Sequence, residues 1–142
     1  MPRTHSHTLR VRYAETDQMG YVYYANYLAW FEVGRAEWLR AEGRTYRSFE
    51  DEGCMLPVVE AHARYRRAAR YDELIELVTW PSLVRAATVR FEYQVLRAAD
   101  KGLLAEGSTT HACVNKEGKP VRFPVDVHAL LTSAVGNHML EK

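Results

Sequence analysis

Glu15 and Asp17 stand two residues apart in the stretch AETDQMGYVYYANY, residues 14–27. Gly20 follows, then Tyr21, Tyr23, Tyr24 and Tyr27, and then an apolar pattern with helical spacing. A carboxylate just ahead of a helix can play either of two parts. It can cap a turn or a helix end, where aspartate is common. It can also be a reagent, because the first N–H groups of a helix lack partners within it and favour negative charge. The helical pattern starts some seven residues after Asp17, too far for a direct N-cap, so QMGYVYY must loop into the helix. A nucleophile or base facing fixed N–H donors is the layout that acyl transfer requires. Spacing alone leaves both readings of Asp17 open.

The rival carboxylates read more plainly. Glu15 could share a side with Asp17 in an extended segment, but it reads as a turn or salt-bridge residue. Glu37 lies at helical spacing from Val33 and Arg40 and reads as a surface or interface ion pair. Other chemistries lack their patterns. EGSTT is missing the second glycine of a nucleophile elbow, and no phosphate-binding or dinucleotide glycine pattern occurs. The six histidines are scattered, and His5 and His7 read as a frayed terminus. Cys54 and Cys113 have no metal spacing and form no disulfide framework; they read as two buried thiols. The expectation is therefore no metal and no cofactor.

The elements that must position Asp17 follow from periodicity. HTLRVRY, residues 7–13, alternates Leu9, Val11 and Tyr13 with polar residues, as a half-buried strand does. Tyr27, Trp30, Phe31, Gly34, Trp38 and Ala41 predict a helix over 24–42, stopped by Gly43. A short second helix follows at 45–53. Strand-like runs then lie around 59–66, at 73–80 before Pro81, at 87–97 and at 103–114, and a closing helix spans 124–135. One strand, a long helix and about four antiparallel strands predict an α+β fold, a sheet wrapped around one central helix. There is no repeat or linker, so a single domain over 1–142 is expected. The net charge of +1 gives no bulk signature of a nucleic-acid partner. With no apolar run of ~18 residues and no signal-peptide core, no membrane span is expected and the default compartment is the cytoplasm.

RYAETDQMGYVYYANYLAWFEVGRAEWLR, residues 12–40, resembles the acyl-CoA thioesterases of the 4-hydroxybenzoyl-CoA thioesterase type, in their YbgC-like branch. YRRAARYDELIELVTW (65–80) is similar to that family's arginine-tyrosine-acidic stretch, with Ala68 where proline is usual, and VRFEYQVLR (89–97) is similar to one of its strands. The resemblance covers nearly the whole chain. It implies the hotdog fold and metal-free hydrolysis of an acyl-CoA thioester. The residue at the position of Asp17 would be nucleophile or general base, and the helix-start amide at Tyr24 would polarise the thioester carbonyl. Several relatives have histidine at the position of Tyr24; the amide donor is unaffected by that exchange. Some hotdog thioesterases use a helix glutamate, which keeps Glu37 as a minor candidate.

Coenzyme A also carries phosphates, and arginine suits fixed phosphate contacts. The cluster ARYRRAAR (63–70) supplies Arg64 and Arg66, and Arg90 lies on a later strand; these three are the expected phosphate contacts. A solvated strand face is the commoner explanation of such a cluster. Gly20, Tyr23 and Tyr27 complete the expected substrate-binding set, with the tyrosines able to line an aryl or an aliphatic pocket. One helix covers only one face of such a sheet, so a homo-oligomer, dimer or tetramer, is expected. Two other readings remain. One is a hotdog dehydratase or hydratase, which would pair a histidine with the acidic residue. The other is a non-catalytic acyl-ligand or protein-interaction module, which would tolerate loss of Asp17.

Overall fold

The computed structural model describes residues 1–136, so residues 137–142 of the expected domain lie outside the described residues. Five strands form one antiparallel sheet: β1 (His5–Arg10), β2 (Val58–Tyr65), β3 (Leu74–Val84), β4 (Thr88–Arg97) and β5 (Leu103–Ala112). Their order across the sheet is β1-β3-β4-β5-β2. The long helix α1 (Asn26–Ala41) crosses one face; α2 (Tyr46–Asp51) follows it, and α3 (Val125–Val135) closes the chain against β3. This is the α+β arrangement expected from the order of elements.

The alternating strands put one row of side chains against α1. Val89, Phe91, Tyr93 and Val95 of β4 are all buried, as are Tyr27, Trp30, Phe31, Trp38 and Leu39 of the helix. Phe31 stacks on Tyr93 with ring centroids 4.3 Å apart, and Trp38 meets Phe91 edge-on. The helix lies close to β3 because residue 34 is glycine. A Cβ there would stand 2.5 Å from Thr79 Oγ1.

A polar chain crosses this core. Tyr93 Oη and Thr109 Oγ1 are 2.6 Å apart, Thr109 Oγ1 and His111 Nε2 2.8 Å, and His111 Nδ1 and the Leu56 carbonyl 3.0 Å. A carbonyl only accepts, so Nδ1 carries the imidazole proton and Nε2 accepts from Thr109, which in turn accepts from Tyr93. Burial pushes His111 down to about 4, so it is a neutral link.

Several boundaries differ from the sequence expectation. His5 and His7 are strand residues paired opposite Thr79 and Leu77, not a frayed terminus. β1 ends at Arg10 because the chain turns into a single 3₁₀ turn at Tyr13–Glu15, which leaves Tyr13 exposed. α1 starts two residues later than expected. At its other end Ala41 is exposed, and Leu39 takes the buried place. β3 runs through Pro81 instead of stopping before it. β1 pairs only as far as Thr79, and the β3–β4 register shifts between Pro81 and Leu83, so no β1 ladder bond is needed from the proline. β2 is exposed along nearly its whole length because it is an edge strand.

Candidate active site

The loop between β1 and α1 folds back on itself around Asp17. Thr16 pairs with Val22, the Asp17 N–H donates to the Tyr21 carbonyl, and Gly20 takes a φ of 80° that favours glycine. Asp17 Oδ1 accepts the N–H of Met19 at 2.9 Å and that of Tyr21 at 3.2 Å. This is an Asx-type turn held by one carboxylate oxygen. Among the described residues, Oδ2 has no hydrogen-bond partner. The two readings of Asp17 are therefore compatible: one oxygen holds the turn and the other is uncommitted.

The loop is fastened to the segment after β2. Tyr21 pairs with Arg70, the Val22 N–H donates to the Ala69 carbonyl, and the Arg70 guanidinium lies 4.8 Å from the Tyr21 ring centroid. Between them is a cleft of about 340 Å³ whose walls include Asp17, Tyr24, Tyr27, Tyr65, Arg66 and Arg67. Tyr65 packs edge-on against both Tyr24 and Tyr27. Burial raises the Tyr27 and Tyr65 phenols above their ordinary value, so both stay neutral at physiological pH.

The helix start supplies donors. The N–H groups of Asn26, Tyr27 and Leu28 bond to the carbonyls of Tyr23, Tyr24 and Ala25. Among the described residues, the N–H groups of Tyr24 and Ala25 have no acceptor, and no side chain caps the helix. These are the free positive ends that a helix start offers to a developing anion. The Tyr65 hydroxyl donates to the Tyr24 carbonyl at 3.3 Å, at the opposite edge of the peptide whose N–H belongs to Ala25.

Asp17, Tyr24, Tyr27 and Arg66 of the expected site meet in this cleft, whereas Tyr23 lies outside it with its ring tilted against that of Tyr24. The three expected arginines are not brought together. Arg66 is paired with Glu106, Arg64 lines a separate depression with His62 and Trp80, and Arg90 bonds to Ser82 and Glu92. Arg67, not among them, lines the cleft and has no ion pair among the described residues. Glu15 is a buried pin, its carboxylate accepting from the Arg12 N–H and from Trp30 Nε1 at 3.0 Å. Glu37 pairs with Arg40 and does not line the cleft. The place of Tyr65 in the cleft was missed because it depends on a contact with Tyr24, 41 residues earlier and just ahead of α1; the adjacent aromatic–arginine run was its sequence signal.

Residues 11–131 match the model of the Thioesterase-like superfamily. The chain is 38% identical over 116 residues to YneP of Bacillus subtilis (strain 168), named as a candidate acyl-CoA thioesterase, covering 81% of this chain and 83% of that one. It is 37% identical over 126 residues to acyl-CoA thioesterase YbgC of Haemophilus influenzae, covering 87% and 91%. The crystal structure of a DHNA-CoA thioesterase from Staphylococcus aureus superposes with a TM-score of 0.86 at 28% identity, over 92% of this chain and 89% of that one.

Proposed function

The chain belongs to the Thioesterase-like superfamily and is an acyl-CoA thioesterase with the hotdog fold, and from that premise we propose that Asp17 is the carboxylate on which its hydrolysis turns. One observation carries the assignment. Asp17 ties Oδ1 to the Met19 and Tyr21 amides and leaves Oδ2 without a partner, beside a cleft it shares with the helix start.

The acyl-CoA thioester carbonyl sits at the N–H groups of Tyr24 and Ala25. Asp17 either takes a proton from the attacking water or attacks the carbonyl carbon itself, forming an anhydride that water then opens. In both routes negative charge gathers on the former carbonyl oxygen, where preorganised donors act most strongly. The bond to sulfur breaks and coenzyme A leaves as a thiolate. A thiolate is a good leaving group and needs little protonation, so a carboxylate with two amides is sufficient machinery. Among the described residues, no cluster of His, Cys, Asp and Glu is placed to hold a metal ion, and the proposed chemistry uses none. Arg66 and Arg67 both line the cleft, and Arg67, with no ion pair among the described residues, is the cation offered to the phosphates; Arg64 and Arg90 would serve only a neighbouring subunit's cleft.

The proposal extends to a single domain acting as a homo-oligomer in the cytoplasm. No helix among the described residues is long and apolar enough to cross a membrane. Among the described residues β2 has a free edge, with Val58 and Val59 exposed on it, and two such edges can pair into one continuous sheet. The test is a panel of aryl-, short- and long-chain acyl-CoAs assayed for free thiol, with wild type and Asp17→Asn side by side. Release by wild type alone, unchanged by EDTA, is the expected result. Release that vanishes with EDTA and returns with a divalent metal overturns the metal-free route.

A further inference from the structure

One carbonyl ties the two halves of the proposed site together. The Glu15 carbonyl accepts the Tyr23 N–H at 2.8 Å and Asn26 Nδ2 at 2.8 Å. Tyr23 and Asn26 stand on either side of Tyr24 and Ala25, whose N–H groups have no acceptor among the described residues. Asp17 lies two residues beyond Glu15, and little slack separates them. Thr16 donates twice to the Tyr13 carbonyl, through its N–H at 3.1 Å and its hydroxyl at 2.7 Å, and the Asp17 N–H donates to the Tyr21 carbonyl at 2.7 Å. Glu15 is also held by its side chain. It is buried, and one helical turn after Asn26, Trp30 Nε1 donates to its carboxylate at 3.0 Å. Among the described residues these are the two side-chain hydrogen bonds from α1 to Glu15.

Asparagine is favoured just ahead of a helix, where its side-chain oxygen accepts N–H groups of the first turn. Asn26 is instead the first residue of α1, no side chain caps the helix, and its amide is turned back to Glu15. A carbonyl only accepts, so the end of that amide facing Glu15 is the NH2 group, and a side chain without a donor cannot make the bond. We propose that Asn26 is a positioning residue, which holds the Asp17 carboxylate at a fixed reach from the Tyr24 and Ala25 amides by bonding the Glu15 carbonyl. A base or nucleophile and its oxyanion donors work together in one geometry, and a displacement of about 1 Å costs on the order of a hundredfold in rate. Asn26 acts through Glu15, and its role rests on the Asp17 reading above, to which it adds the residue that sets the geometry.

The test is steady-state thiol release by wild type, Asn26→Ala, Asp17→Asn and the Asp17→Asn/Asn26→Ala double variant, on the acyl-CoA of the panel above that wild type turns over fastest. Alanine is the better helix former and the Glu15 carbonyl keeps the Tyr23 N–H, so Asn26→Ala should melt as wild type does. Its kcat should fall by about ten- to a hundredfold with KM unchanged, because alignment is lost and binding is not. In the Asp17→Asn background the same change should cost less than about twofold, since no carboxylate is left to align. A full kcat in Asn26→Ala overturns the positioning role and leaves Asp17 standing. An equal fall in both backgrounds overturns it as well, and so does a loss of kcat that comes with a raised KM and a lowered melting temperature, the marks of a structural role. An Asp17→Asn variant that keeps the wild-type rate removes the reading beneath the proposal, an outcome seen without touching Asn26.

Discussion

Asp17 holds its own turn and also faces the cleft, so the informative substitution keeps one role and removes the other. In Asp17→Asn the amide oxygen can still accept from Met19 and Tyr21, so the loop and the melting temperature should be preserved. The charge and nucleophilicity are gone, and thiol release should fall by roughly a thousandfold, within the span of ~10²–10⁴ expected of a lost base. A purified variant that keeps more than about a tenth of the rate would reduce Asp17 to a turn residue. Tyr65 acts at one remove. Its hydroxyl fixes the peptide whose N–H is Ala25's, and its ring holds Tyr24 and Tyr27. Tyr65→Phe keeps the ring contacts and frees the peptide. It should lower kcat about fivefold, one neutral hydrogen bond's worth, while KM and stability stay put. A raised KM with kcat intact would make Tyr65 a plain wall of the cleft. The placement of Asp17 at the cleft was legible because it stands in sequence just ahead of the helix start. Tyr65 and Arg67 were not, because only the β2–α1 contact and the turn after β2 bring them there.

At the scale of elements, periodicity carried most of the fold. β4 reads as a strand because Val89, Phe91, Tyr93 and Val95 alternate, and α1 because Tyr27, Trp30, Phe31, Gly34 and Trp38 fall on one stripe. The misreadings fall where a neighbouring element overrides a local rule. Pro81 ends a strand only where its missing N–H is needed, and here β1 has already stopped pairing. His111 is the sharper case. Nothing local marks it as a buried link between β4, β5 and the segment before β2, yet it shares a strand face with Thr109 and is fully buried. Its proton balance gives a measurable slope. The unfolded imidazole titrates near ~6.5, and the folded one is pushed down to about 4 by burial. Between those values the unfolded chain binds the extra proton, so stability is full above the upper one and falls as pH drops towards the lower, by at most about 3 kcal/mol. Denaturant melts at pH 7 and pH 5 should show this loss in wild type, and His111→Gln should flatten it. Equal slopes in the two proteins would mean that His111 takes up its proton alike in the folded and unfolded chain, with no shift on burial.

At the scale of the whole molecule, the candidate cleft is open to solvent in a single chain. Tyr23, Tyr24 and Tyr65 are about half exposed around the cleft, and among the described residues the strand that carries Tyr65 has a free edge. A site that stabilises a developing oxyanion works best with water excluded, and one chain does not exclude it here. On the homo-oligomer proposal, the missing wall is supplied by a second copy joined along β2, with its residues closing the neighbouring cleft. The outer face of the sheet has a different character, with Arg66 paired to Glu106, Arg90 to Glu92 and Trp80 partly exposed among them. A tetramer built on that charged face should separate into dimers as salt rises, because exposed ion pairs are screened, while the edge-joined dimer persists. Two sedimentation series separate these layers, one in salt and one in dilution, each with thiol release measured on the same samples. Activity should survive the passage from tetramer to dimer and fall as the dimer gives way to the 16.4 kDa monomer. A monomer with full specific activity would show that one chain closes its own site, and would refute the shared cleft whatever the assembly at higher concentration.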